Sequence, residues 1–146
     1  MAGLTRKDID AAVTDALKGL AVTGGGYVRT LAGYRGGLDA ASLGKEAVRL
    51  PAVYVSYTGA TYAAGPALGR IETLLFTIIT VSAVTPGFDR YRLQDDVREE
   101  LDGSILGDGV RPVRLVREYP LGVTAGSEML AAEYAVERVV GLTAQT

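Results

Sequence analysis

The sequence contains no cysteine and no histidine. The first absence excludes disulfides, thiolate nucleophiles, zinc–thiolate sites and iron–sulfur ligation. The second excludes Ser-His-Asp and Cys-His catalysis and nearly every transition-metal site. Most acid–base catalysis near neutral pH runs through histidine, so an enzyme is not the first expectation, and neither a metal nor a cofactor is. Tryptophan is absent as well. No apolar stretch reaches the ~18–20 residues that a membrane-spanning helix needs. The opening from Met1 to Asp8 has no signal-peptide apolar region. A soluble, cytoplasmic chain with no membrane association is therefore expected.

Charge of one sign is also lacking. The 15 Lys+Arg and 17 Asp+Glu leave a net charge of −2. Proteins that live by gripping nucleic acid are usually basic, so that role is disfavoured. Hydrophobic residues make up 48% and charged residues 22% of the 146, values of an ordinary globular domain. The length predicts one domain over residues 1–146, with about two-thirds of its surface buried on folding.

The first predicted element is a helix. Thr5 is the N-cap, and Asp8 completes a capping box with Asp where Glu or Gln is usual. Ile9, Val13, Ala16, Leu17 and Leu20 form one apolar stripe. The Thr23-Gly24-Gly25-Gly26 run stops this helix and lacks the preceding strand and lysine of a phosphate-binding loop. Tyr27–Leu31 reads as a short strand. Gly33–Lys45 is glycine-rich and aperiodic, and predicts a long, mobile loop arm at about residues 33–49.

Pro51 opens a strand over Ala52–Tyr57, followed by a loop over Thr58–Pro66. Arg70–Ala83 is the strongest strand. Leu74, Leu75, Phe76, Ile78 and Ile79 make it apolar on both faces, which predicts a central strand covered on both sides. A second amphipathic helix spans about Phe88–Leu101, with Leu93, Val97 and Leu101 four apart and Gly103 after its end. Two further strands follow, Val113–Tyr119 and Glu128–Val140, joined through Gly122–Gly126 as an antiparallel hairpin, with a frayed tail over Thr143–Thr146. The predicted class is α+β: a mainly antiparallel sheet of about four to five strands, two amphipathic helices on one face, and a long loop arm between the first two strands. The apolar surface of the other face predicts association with another subunit.

No catalytic motif occurs in a supporting context. Asp95, Asp96, Glu99 and Glu100 are acids of the kind a small carboxylate-dependent hydrolase would use. On an exposed helix face, such pairs serve solvation and ion pairing, here with Arg92 or Arg98. Eight tyrosines are present, a residue favoured where proteins touch. The arm residues Tyr34, Arg35, Asp39 and Lys45, with Tyr57 and Tyr62, are the candidate subunit or partner contacts.

Two segments carry a resemblance: Val28–Leu38, with its Tyr34-Arg35-Gly36-Gly37-Leu38 loop start, and Arg49–Val55, with Leu50-Pro51-Ala52-Val53. Together with the opening helix and closing hairpin, they resemble the phage Mu-like tail-terminator family over about Ile9–Leu142. The resemblance implies an α+β virion protein, assembled in the host cytoplasm, that forms a hexameric ring. The ring caps the tail tube, ends polymerisation of tube and sheath, and meets the head–tail connector protein. It implies no catalytic residue and no cofactor, with DNA only passing through the lumen. The alternative to the terminator is another head–tail joining or neck ring protein, similar in size and equally without catalytic motifs.

Overall fold

A computed structural model of the chain describes residues 4–46, 49–124 and 126–141. The expected tail at Thr143–Thr146 and the start of the chain at Met1–Gly3 lie outside the described residues, as do positions 47 and 48 of the expected arm.

Helix α1 spans Arg6–Ala16 and begins with the capping box that Thr5 and Asp8 predict. The Asp8 backbone N–H donates to Thr5 Oγ1 at 3.1 Å, and the Thr5 N–H donates to Asp8 Oδ2 at 3.0 Å. Two orphan donors of the first turn are satisfied in this way. Ile9, Val13 and Leu17 are buried. The helix ends at Ala16, short of the glycine run expected to stop it; two 3-10 turns, Lys18–Leu20 and Val22–Gly24, follow and lead into a hydrogen-bonded reversal. Gly26 N–H donates to Ala21 O at 2.9 Å, and Val28 N–H to Leu20 O at 2.8 Å. Gly25 supplies the left-handed residue, at φ 91°.

Strand β1 is Thr30–Gly33, later and shorter than the Tyr27–Leu31 expected. The long connection to the next strand is present but is not loop throughout: it contains helix α2, Ala40–Glu46. Glycines at 33, 36, 37 and 44 obscure that helix in the sequence. Strand β2 starts after a cis Leu50–Pro51 bond and runs over Ala52–Ala64, so the loop expected over Thr58–Pro66 is mostly strand. A register shift between Tyr57 and Gly59 absorbs one extra residue, and such a bulge breaks the alternation that sequence patterning reads.

Strand β3 is Arg70–Ala83, with the bounds expected. Helix α3 is Arg92–Leu101, four residues shorter at its start than expected, with Leu93, Val97 and Leu101 buried. Gly103 follows at φ 81°, the left-handed position that glycine fills best. Strand β4 is Arg114–Thr124 and passes through Pro120, where a break was expected. It is an edge strand, where a missing backbone donor is tolerated. Strand β5 is Ser127–Val140.

The sheet is five-stranded in the order β1-β2-β3-β5-β4. β1 runs parallel to β2 and every other pair is antiparallel, so the sheet is mixed but mainly antiparallel, as predicted. β3 is central and pairs with β5 from Arg70↔Val140 to Ala83↔Ser127 without a shift.

Alternation divides the core in two. Leu74, Phe76 and Ile78 of β3 face α1 and α3, together with Val53, Val55, Ala132, Tyr134 and Val136. Ile79 and Val81 point to the other face, with Tyr54, Met129, and Leu43 from α2. The second face is therefore covered by this chain's own α2 at one end. At the other end Ile71, Thr73 and Leu75 are only half-buried and Val139 is 51% exposed.

Phe76 is 1% exposed in the middle of the helix-covered core. Phe76→Ala is expected to cost about 3–5 kcal/mol by lost transfer energy and the cavity left behind. A urea titration that returns less than about 1 kcal/mol would show that this site is not close-packed.

Candidate assembly surface

The candidate contact residues do not share one surface. Tyr34 is buried under the β1–α2 connection. Its hydroxyl donates to Gly37 O at 2.7 Å and its ring lies 5.7 Å from that of Tyr54. A Cβ at Gly36 would run into the Tyr34 ring, which accounts for the glycine after Arg35. Asp39 sits one residue ahead of α2 and accepts from Ser42 N–H at 2.8 Å and from Ser42 Oγ at 3.0 Å. These bonds hold its carboxyl below the usual carboxylate range. Both residues thus serve the local fold. Lys45 is exposed in the last turn of α2, where a cation suits the helix dipole.

Arg35 and Tyr57 do come together. With Asp10, Leu38, Ser56, Thr58 and the buried Tyr34 they line a groove of about 860 Å³ beside the point where β1 leaves β2. The Tyr57 ring is 42% exposed and packs edge-on against Phe76 at 5.6 Å. Tyr62 lies further along β2 in a different setting: an ion cluster that sequence reading did not reveal.

That cluster centres on Glu72 of β3, which is 2% exposed. Its Oε1 accepts from Arg138 Nε at 2.6 Å. Its Oε2 accepts from Arg6 Nη2 at 2.8 Å and from the Tyr62 hydroxyl at 2.7 Å. Arg138 also donates to Leu4 O. Three strands' worth of sheet end and the start of α1 are thereby tied to one carboxylate. Burial disfavours the charge, but the hydrogen bonds from Tyr62, Arg6 and Arg138 outweigh it and hold the Glu72 carboxyl below its ordinary value. The residues are 66 positions apart in sequence on either side of Glu72, so only the fold reveals the set.

The acids of the hydrolase reading are spread along α3. Asp95 accepts from Arg98 at 3.2 Å, and Asp96 accepts from the Tyr27 hydroxyl. Arg92 lies 4.6 Å over the Tyr27 ring and approaches Asp96. Glu99 and Glu100 are exposed. The Arg98–Asp95 and Arg92–Asp96 pairs, with Glu99 and Glu100 exposed, match the reading of this face as solvated. Among the described residues no group of three or more His, Cys, Asp and Glu is placed to hold a metal ion, and no helix is long and apolar enough to cross a membrane.

No family model matches the chain, and no curated protein matches it. A solved structure does. A chain of the virion of a native gene transfer agent particle superposes with a TM-score of 0.57 at 20% identity, covering 91% of this chain and 95% of that one. The likeness is one of fold, over nearly the whole of both chains.

Among the described residues, the half-covered end of the second sheet face and the sheet edges are left uncovered. β1 pairs with β2 only from Ala52 to Val55, so among the described residues no strand lies against the outer side of β2 beyond Tyr57. The other edge, β4, carries Pro120 and two register shifts, Leu115/Arg117 and Pro120/Gly122.

Glu72 gives a pH test. Its folded pKa is depressed, so its contribution to stability is full above the unfolded value of about 4.3 and is lost as pH falls through the folded value. Glu72→Gln is expected to cost about 2–3 kcal/mol at pH 7 and to shrink the difference in unfolding free energy between pH 7 and pH 3. Equal pH dependence in variant and wild type would show that Glu72 does not carry this linkage.

Proposed function

We propose that the chain is a structural, non-enzymatic virion protein of the tail-terminator kind. It forms a ring, six copies in the related family, that caps the tail tube, ends tube and sheath polymerisation and joins the tail to the head-side connector. The observation that carries this reading is the fold shared with a gene transfer agent virion chain over 91% of the present one. The resemblance of Tyr34–Leu38 and Leu50–Val53 to tail terminators supports the finer assignment. The same resemblance supports a virion location, with the tail tube, sheath and connector proteins as partners and DNA only traversing the lumen.

A ring needs one heterologous contact repeated until it closes. The half-covered sheet face and the free stretch of β2 offer such patches. In this reading Arg35, Tyr57 and Lys45 meet a neighbour directly, Tyr62 borders the contact, and Tyr34 and Asp39 act by shaping the connection that presents Arg35.

Negative-stain electron microscopy tests the proposal, on the purified chain and on tail tubes assembled in its presence. Annular particles with a central opening are expected, and tubes of limited length ending in one such particle. Tubes that elongate without limit in its presence would rule out the terminator role. Rings that bind the connector but leave tube growth unaffected would point to the head–tail joining alternative. Arg35→Ala with Lys45→Ala is expected to reduce the ring fraction while leaving the thermal midpoint of the monomer unchanged.

A further inference from the structure

We propose that the outer edge of β2 over Thr58–Ala64 is where the next copy of this chain attaches, by adding its β4 as a sixth strand. The proposal rests on the ring reading and names the contact within it.

The two edges of the sheet differ. Among the described residues, β1 covers β2 only to Val55, where Tyr34 N–H donates to Val55 O at 2.9 Å, and no backbone hydrogen bond reaches the outer side of β2 from there to Ala64. Thr58-Gly59-Ala60-Thr61-Tyr62-Ala63-Ala64 contains no charge and no proline. An edge of this kind lacks the lysines and prolines that keep edges from pairing. Its small side chains let another backbone approach closely, and main-chain hydrogen bonds would supply the affinity.

The occupant follows from the opposite edge. A ring joins two different patches, whereas β2 against β2 closes as a two-fold dimer. The sheet ends in the four-residue β1 on the β2 side and in the eleven-residue β4 on the opposite side, and of these two only β4 is long enough to match the seven residues of Thr58–Ala64. Its charged heads are exposed but already paired within the chain: Arg114 with Glu137 at 3.5 Å, Arg117 with Glu133 at 3.7 Å and Glu118 with Arg98 at 3.9 Å. A seam between β4 and the neutral β2 edge therefore buries no lone charge. Each edge also exposes apolar groups that the seam would cover, Tyr57 and Tyr62 on β2, Val116 and Val123 on β4. The bulges and Pro120 leave a short regular stretch around Arg117–Tyr119, which limits β4 to one register and discourages open-ended stacking.

The absence of native cysteine makes cross-linking clean. Thr61→Cys and Val116→Cys are introduced together and singly into the full chain, treated with a short bis-maleimide, and run on denaturing gels beside a native mass measurement. The double variant is expected to form a ladder of multimers, and each single variant to stay monomeric on the gel. A dimer from Thr61→Cys alone overturns the proposal in favour of two-fold β2 pairing. No cross-link from the double variant, when the native mass shows an oligomer, overturns this contact and leaves the ring standing. A native monomer at every concentration removes contact and self-assembling ring together. As a second arm, Thr61→Lys with Ala63→Lys places charges on exposed positions of the edge. Loss of the oligomer with a monomer that still unfolds in one cooperative transition is expected, and an oligomer that persists overturns the proposal.

Discussion

Everything in this fold hangs on the pairing of β3 with β5. Fourteen consecutive register positions join the two strands without a bulge, and both are apolar on alternate and on adjacent residues. A strand pair with two apolar faces cannot be left with one face in water. Helices α1 and α3 cover the centre of the first face and leave Tyr57 and Tyr62 of β2 partly exposed at its margin. The second is covered by α2 only where Leu43 reaches Ile79, Val81 and Met129. The remainder of that face and the bare stretch of β2 are consequences of a sheet longer than its own cover. The proposed association draws on the same hydrophobic arithmetic that builds the core.

The ion cluster at Glu72 shows how the sheet end is closed without an apolar cover. Arg6 from α1, Tyr62 from β2 and Arg138 from β5 converge on one buried carboxylate. Such a cluster contributes less net stability than its short distances suggest, because burying charge is costly. Its consequence is geometric: it fixes where α1 starts relative to the sheet, and so fixes the border of the exposed β2 edge.

The legibility of the sequence varied with the physics of each segment. Capping chemistry at Thr5 and Asp8, the two-faced apolarity of Arg70–Ala83 and the four-residue spacing of Leu93, Val97 and Leu101 are local signals, and the elements they mark are present. The continuation of β2 past Tyr57 was read as loop because a bulge reverses the alternation and small residues carry little pattern. The helix at Ala40–Glu46 was hidden by glycines on either side, and its burial against β4 and Met129 is tertiary in origin. Pro120 was taken for a strand end, whereas an edge position tolerates it. Of the contact candidates, Tyr34, Arg35 and Tyr57 line one groove. Tyr34 and Asp39 proved to be bound up in their own loop, a distinction that only side-chain partners reveal. The Glu72 cluster links residues far apart in sequence and had no local signature at all.

The central claim is that this chain assembles with itself through surfaces its own helices leave uncovered. Light scattering over a range of protein concentrations tests it most directly. The account predicts one discrete species near six times 15.3 kDa. A mass of 15.3 kDa at every concentration would contradict it, since the uncovered face and edge would then be stable in water without a neighbour.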